Sequence, residues 1–194
     1  MIYIDHQIEQ LDIQTALAAV SAQRRAHAQR YRKEHDQRLS LAAYRLLQRA
    51  LSLEYHIQEP PLFDYGAHGK PTLVGHPDIY FNLSHCHEAV ACVVDTVPVG
   101  IDVESLSNYD TEIVKEVMND EEQRQIVCSP TPRLTFLRLW TMKESLLKMS
   151  GEGIVDDMRQ VLSNSSAVRD RTFRFTTTVY PQFVCSVCYY AAHQ

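Results

Sequence analysis

Apolar and polar residues alternate from Met1 to Asp5, the period of a short strand with one buried face, and the spacing then changes. From Asp12 to about Arg32, Ile13, Leu17 and Val20 recur at helical intervals behind a weak Asp12 cap. A second helix is predicted from about Asp36, where Leu39, Ala43, Leu46, Ala50 and Leu53 return every three or four positions. One face of that helix belongs to a core and its arginines fall mostly on the others. Pro60, Pro61, Gly66, Gly69, Pro71, Gly75 and Pro77 then crowd into 18 residues, and no long helix can cross them. Short β-type runs follow at Ile79 to Leu83, Ala89 to Val94 and Val99 to Val103. A helical block covers Thr111 to Cys128 and Pro132 to Met149, closed by Gly151 and Gly153. The Thr-, Val-, Phe- and Tyr-rich runs Thr172 to Tyr180 and Phe183 to Ala191, broken at Pro181, read as a hairpin. Helices followed by strands thus occur twice. The expectation is an α+β fold of two halves with similar layout, 1–97 and 98–194, packed into one compact unit.

Composition narrows the classes. With 194 residues, 45% of them hydrophobic, the chain can bury a sizeable core, and no segment has the length and apolarity of a membrane span. The first ten residues carry Asp5 and Glu9 and lack the basic start and apolar stretch of a signal peptide, so a cytoplasmic protein is expected. Five cysteines, an odd number without regular spacing, argue for reduced thiols. Cys185 and Cys188 form a lone C-x-x-C in an apolar strand-like run, expected as half-buried strand cysteines because no second pair completes a zinc site. The net charge of −5 speaks against general nucleic-acid binding, yet eight basic residues face two acids between Arg24 and Arg49. Such a local excess can hold a compact polyanion, or it can be a solvated helix surface.

Four short segments carry candidate chemistry. Val99-Gly100-Ile101-Asp102-Val103-Glu104 is an apolar strand ending in two carboxylates two residues apart, and positions i and i+2 of a strand share a face. Two carboxylates held about 4 Å apart repel by roughly 4 kcal/mol at an effective dielectric near 20. A hard divalent cation relieves that repulsion; acids that fan into solvent scarcely feel it. In Trp140 to Lys148, Trp140, Glu144 and Lys148 stand at i, i+4 and i+8 of a helix. Glu144 and Lys148 alone would be an ordinary surface ion pair. The lone tryptophan among charged positions suits a partly buried cleft better. Phe81-Asn82-Leu83-Ser84-His85 ends a strand with a hydroxyl and an imidazole able to meet a phosphate, or with an ordinary turn pair. Gly69-Lys70-Pro71 holds a lysine in a rigid turn, facing a phosphate or solvent. No Gly-x-Ser-x-Gly elbow supports a serine hydrolase.

Taken in order, these four segments resemble the motif set of the 4'-phosphopantetheinyl transferases, most closely the surfactin-synthetase-activating type. Tyr31 to Arg38 and the helix after it resemble the family's arginine segment, so the likeness covers roughly residues 24–153. The resemblance implies two pseudo-symmetric halves meeting at a cleft that binds coenzyme A. It implies that Asp102, Glu104 and Glu144 hold Mg2+ with the coenzyme A pyrophosphate, and that Arg25, Arg38, Lys70, Ser84, His85 and Lys148 contact the nucleotide and phosphates. The implied reaction is attack by a serine of an acyl or peptidyl carrier protein on the β-phosphate, with Glu144 the preferred base and Lys148 beside the phosphates. A monomer is expected, without nucleic-acid or membrane partners. Alternatives from other classes are a coenzyme A or nucleotide-binding module without transfer activity and a metal-dependent phosphohydrolase.

Overall fold

In the computed structural model the described residues are 1–66, 69–106, 110–151, 157–164 and 173–190. Strand β1 (Ile2–Asp5) leads through a 3-10 turn into two short helices, α1 (Ile13–Ala19) and α2 (Ala22–Ala28), and then into α3 (Glu34–Tyr55). The single helix expected from Asp12 to Arg32 is broken. Val20 is extended, and the Ser21 side chain accepts a hydrogen bond from Arg24 N, which caps a new helix. The proline- and glycine-rich stretch holds a hairpin of β2 (Phe63–Tyr65) and β3 (Pro71–Leu73), which the turn signals had hidden. Strands β4 (Tyr80–His85), β5 (Val90–Asp95) and β6 (Val99–Ser105) lie within a few residues of their expected runs.

The helical block differs in the same way as the first one. Helix α4 (Thr111–Val117) stops at Met118, and α5 (Asp120–Cys128) restarts behind Asn119, which forms a reciprocal capping box with Glu122. Helix α6 (Pro132–Ser150) begins with proline at its first position and ends on Gly151, whose φ of 75° is the left-handed conformation that favours glycine. A 3-10 turn at Met158–Gln160 runs into α7 (Val161–Asn164), and the chain closes with β7 (Phe173–Val179) and β8 (Phe183–Tyr190). Gly153, Thr172 and Ala191, expected at element ends, lie outside the described residues.

Two antiparallel three-stranded sheets result, ordered β1-β5-β4 and β6-β8-β7. In each, the leading strand pairs with the last strand of the set and the middle strand lies outside it. Helix α3 packs on the first sheet and α6 on the second, which makes the molecule an α+β fold of two like-wired layers. Leu39, Leu46, Leu47 and Ala50 of α3 pack with Phe81, Val90 and Val94 in one core. A second core is shared by both sheets: Ala89, Ala91 and Val93 meet Ile101, Val103, Cys185 and Val187. Cys185 and Cys188, three apart on a strand, point to opposite faces; Cys185 enters that shared core while Cys188 packs on Met149. Both are fully buried, not half-buried, and their separation onto two faces keeps them from gripping one ion. No helix among the described residues is long and apolar enough to cross a membrane.

Candidate active site

Strand β6 divides its side chains between two duties. Ile101 and Val103 enter the shared core, while Gly100, Asp102 and Glu104 face the other way, toward α6. Its edge opposite β8 is closed by side chains of β4. Ile101 N donates to Asn82 Oδ1 at 2.8 Å, and Val103 N donates to Ser84 Oγ at 3.2 Å. Asn82 and Ser84 therefore replace a strand partner and stitch the two sheets together. On the far face, the site of a Cβ on Gly100 would lie 2.0 Å from Ser145 O and 2.5 Å from Met149 N. Only glycine admits so close an approach of α6 to β6.

That approach sets Lys148 of α6 against Asp102. Lys148 Nζ donates to Asp102 Oδ1 at 2.5 Å and to Ser84 Oγ at 3.1 Å, and Ser84 Oγ in turn donates to the same Oδ1 at 3.0 Å. Asp102 is 3% exposed, and its second oxygen, Oδ2, is buried without a hydrogen-bond partner. Burial pushes the Asp102 carboxyl up to about 7 against the pull of the Lys148 ammonium, with Glu104 and Glu144 adding a smaller push. Glu104 Oε1 accepts from Trp140 Nε1 at 3.1 Å. Burial also raises the Glu144 carboxyl, opposed by Lys148 and helped by Glu104. The three acids thus feel one another, although among the described residues no three metal-ligating groups stand close enough to enclose an ion. His85, at the end of β4, is held below the ordinary imidazole range by desolvation and then by Lys148.

In front of these groups lies a cleft of about 460 Å³ between the halves. Lys70, Pro71 and Asn82 line one side; Trp140, Glu144, Leu147 and Lys148 of α6 line the other, with Met158 beyond. Lys70 Nζ donates to Met149 O at 2.8 Å, so the lysine sits at the negative end of α6. Arg25 and Arg38 do not line the cleft. Arg25 Nε donates to Leu17 O at 2.8 Å, and Arg38 bridges Glu9 and Glu34 while donating to Leu11 O.

Three contributors are not marked by any sequence pattern: Asn82 as a stitch, Met158 as a wall, and Lys143 as the anchor of the Met158 turn. Lys143 is fully buried, and its Nζ donates to Glu122 Oε2 at 2.7 Å, Met158 O at 2.8 Å and Val117 O at 2.9 Å. All three ammonium protons are used. This one group ties α4, α5 and the Met158 turn to the back of α6, next to Glu144. A Lys143→Met variant leaves the buried Glu122 carboxylate without its counter-ion, with only the Asn119 N–H still donating to it, and is expected to lose about 3 to 5 kcal/mol, roughly a 10 °C fall in thermal unfolding midpoint. A midpoint within about 3 °C of wild type would show that the tripod is dispensable.

A cleft lined by Glu144 and Lys148, with the buried Asp102 bonded to Lys148 and Glu104 held by Trp140, agrees with what similarity shows. The family description "4'-phosphopantetheinyl transferase superfamily" matches residues 98–193, which include β6 and α6. A 4'-phosphopantetheinyl transferase of Bacillus subtilis is 30% identical over 157 residues, 79% of this chain and 70% of that protein. The transferase psf-1 of Bacillus pumilus is 34% identical over 151 residues, 76% of this chain and 63% of that protein. HetI, a 4'-phosphopantetheinyl transferase of Nostoc, is 34% identical over 153 residues, covering 73% of this chain and 64% of its own. Asp102, Glu104, Glu144 and Lys148 all lie within the matched residues 98–193, and with a relative 30% identical over 79% of this chain and 70% of its own, the chain belongs to the 4'-phosphopantetheinyl transferase family.

Proposed function

We propose that this transferase moves the 4'-phosphopantetheine arm of coenzyme A onto a serine hydroxyl of an acyl or peptidyl carrier protein, with Mg2+ as cofactor and 3',5'-adenosine diphosphate as the leaving product. One observation carries the metal reading: Asp102 Oδ2, a buried carboxylate oxygen without a partner, close enough to Glu104 and Glu144 to feel their charge. That donor set suits a hard cation. Mg2+ is commonly held by one or two carboxylates together with substrate phosphates, so a closed protein cage is not required for the fit. Asp102, Glu104 and Glu144 would hold it, and when bound it supplies neutralisation of the pyrophosphate charge.

The chain's own groups do the rest. Coenzyme A lies in the cleft between the halves, which we take as 1–97 and 98–194, with Lys148, Lys70, Ser84 and His85 about its phosphates. Arg25 and Arg38 are assigned to the nucleotide end, where each exchanges a present partner for the substrate. Transfer of this kind asks mainly for positioning and for fixed positive charge near the phosphoryl oxygens, and Lys148 is the cation nearest the acids. Glu144 takes the proton from the attacking serine. Burial raises its carboxyl above the ordinary carboxylate range, the direction that makes it a stronger base. Trp140 fixes Glu104 through its indole N–H, and Asn82 and Ser84 keep β6 in register with β4.

The carrier, a small acidic helical domain, docks through a local basic and apolar patch, because a net charge of −5 repels it at long range. The chain works as a cytoplasmic monomer. Incubating the protein with coenzyme A, Mg2+ and an apo carrier and then weighing the carrier tests the proposal. The expected gain is about 340 Da by a covalent addition, abolished by a chelator. An unmodified carrier with coenzyme A intact would favour a binding module, and cleaved coenzyme A with an unmodified carrier would favour a hydrolase.

A further inference from the structure

We propose that Lys148 is the resident counter-ion of Asp102 in the cation-free protein, and that it leaves this place when a divalent cation enters. The inference rests on the metal reading above and adds a conformational exchange to it. Asp102 cannot move. It is in the middle of β6, paired with β8 on one side, stitched to β4 through Val103 N on the other, and pressed by α6 at Gly100. Lys148 can move. Its side chain is 30% exposed, lines the cleft, and reaches Asp102 through a flexible four-carbon stem.

The two oxygens of Asp102 are unequally served. Oδ1 accepts from both Lys148 and Ser84, while Oδ2 has no partner. A buried carboxylate with one occupied and one empty oxygen is half-compensated, and the ammonium supplies the compensation. A divalent cation drawn to Oδ2 would stand beside that ammonium, and two positive centres on one carboxylate repel. Relief comes when Lys148 swings into the cleft, where the phosphates of the substrate are placed. Ser84 Oγ stays on Oδ1 and keeps the carboxylate oriented. Cation entry and the lysine-to-phosphate contact are then one event. Coenzyme A should tighten the cation, and the cation should tighten coenzyme A, by the same factor.

The test is binding of Mn2+ alone, followed by the electron spin resonance of the free ion at about pH 8.5, where carboxylates are ionised. Trp140, the chain's only tryptophan and a hydrogen-bond donor to Glu104, gives a second signal by fluorescence. Without coenzyme A, Lys148→Met should bind Mn2+ about tenfold or more tightly than wild type, a shift of about 1.4 kcal/mol. Lys148→Arg, which keeps the charge, should stay near wild type. Equal or weaker binding by Lys148→Met would overturn the exchange while leaving the metal site standing. If neither wild type nor Lys148→Met binds Mn2+, with or without coenzyme A, the metal reading itself fails.

Discussion

Asp102→Asn should reduce carrier modification by about 1,000-fold or more, the scale on which a single preorganised charge-stabilising group is lost, while the fold survives. The substitution keeps the shape of the side chain and an oxygen for Ser84 and Lys148, but removes the charge that would hold a cation. Lys148 loses its counter-ion without being trapped, since its partly exposed ammonium can turn to the cleft. Stability should respond to pH in a way that separates this from misfolding. Burial raises the Asp102 carboxyl to about 7, so between about 4 and 7 the cation-free folded state binds more protons than the unfolded chain. Wild-type stability therefore falls as pH rises through that window, and D102N lacks this part of the slope. An unfolding midpoint within about 3 °C of wild type near neutral pH, together with lost transfer, is the expected pair of results. Transfer within tenfold of wild type would remove Asp102 from the site.

Among the described glycines, Gly100 is the one where a single added carbon meets backbone atoms closer than 3 Å, and Gly100→Ala is expected to be strongly damaging. The new Cβ would sit 2.0 Å from Ser145 O, 2.5 Å from Met149 N and 3.0 Å from Met149 Cα. All three are backbone atoms of α6, so no side-chain rotation relieves the overlap. The helix must move off β6, carrying Glu144 and Lys148 away from Asp102. A loss of about 3 kcal/mol or more is expected, at the upper end of overpacking costs, with transfer falling alongside it. Thermal unfolding and carrier mass, measured on the same preparation, check both; a midpoint within about 3 °C of wild type would show that α6 is not pressed on the strand as described.

Much of this was legible along the chain, and the exceptions have physical reasons. Period-2 and helical spacing located β4, β5, β6, α6 and the final hairpin, because each buries a face continuous in sequence. The helix breaks at Ser21 and Asn119 were missed although both residues are strong caps; apolar periodicity on either side of each break masked them. The β2-β3 hairpin was lost among turn residues. Asp102 and Glu104 on one face followed from strand parity, and so could the opposite facing of Cys185 and Cys188 have done. The partners of buried polar groups were not readable. Asn82 and Ser84 serve a strand edge 19 positions away, and Lys143 finds Glu122 21 positions back, contacts that only the folded chain creates. Arg25 and Arg38, which only the family resemblance assigns to the nucleotide, are engaged within the N-terminal half.

The central claim is that the acids at the seam share one divalent ion. A crystal of the protein with coenzyme A and Mn2+, examined by manganese anomalous scattering, tests it most directly. The account predicts one peak within about 2.0 to 2.3 Å of oxygens from Asp102, Glu104 and Glu144, with Lys148 turned toward the phosphates. A peak elsewhere, or Glu144 pointing away with solvent between it and the other two acids, would contradict it.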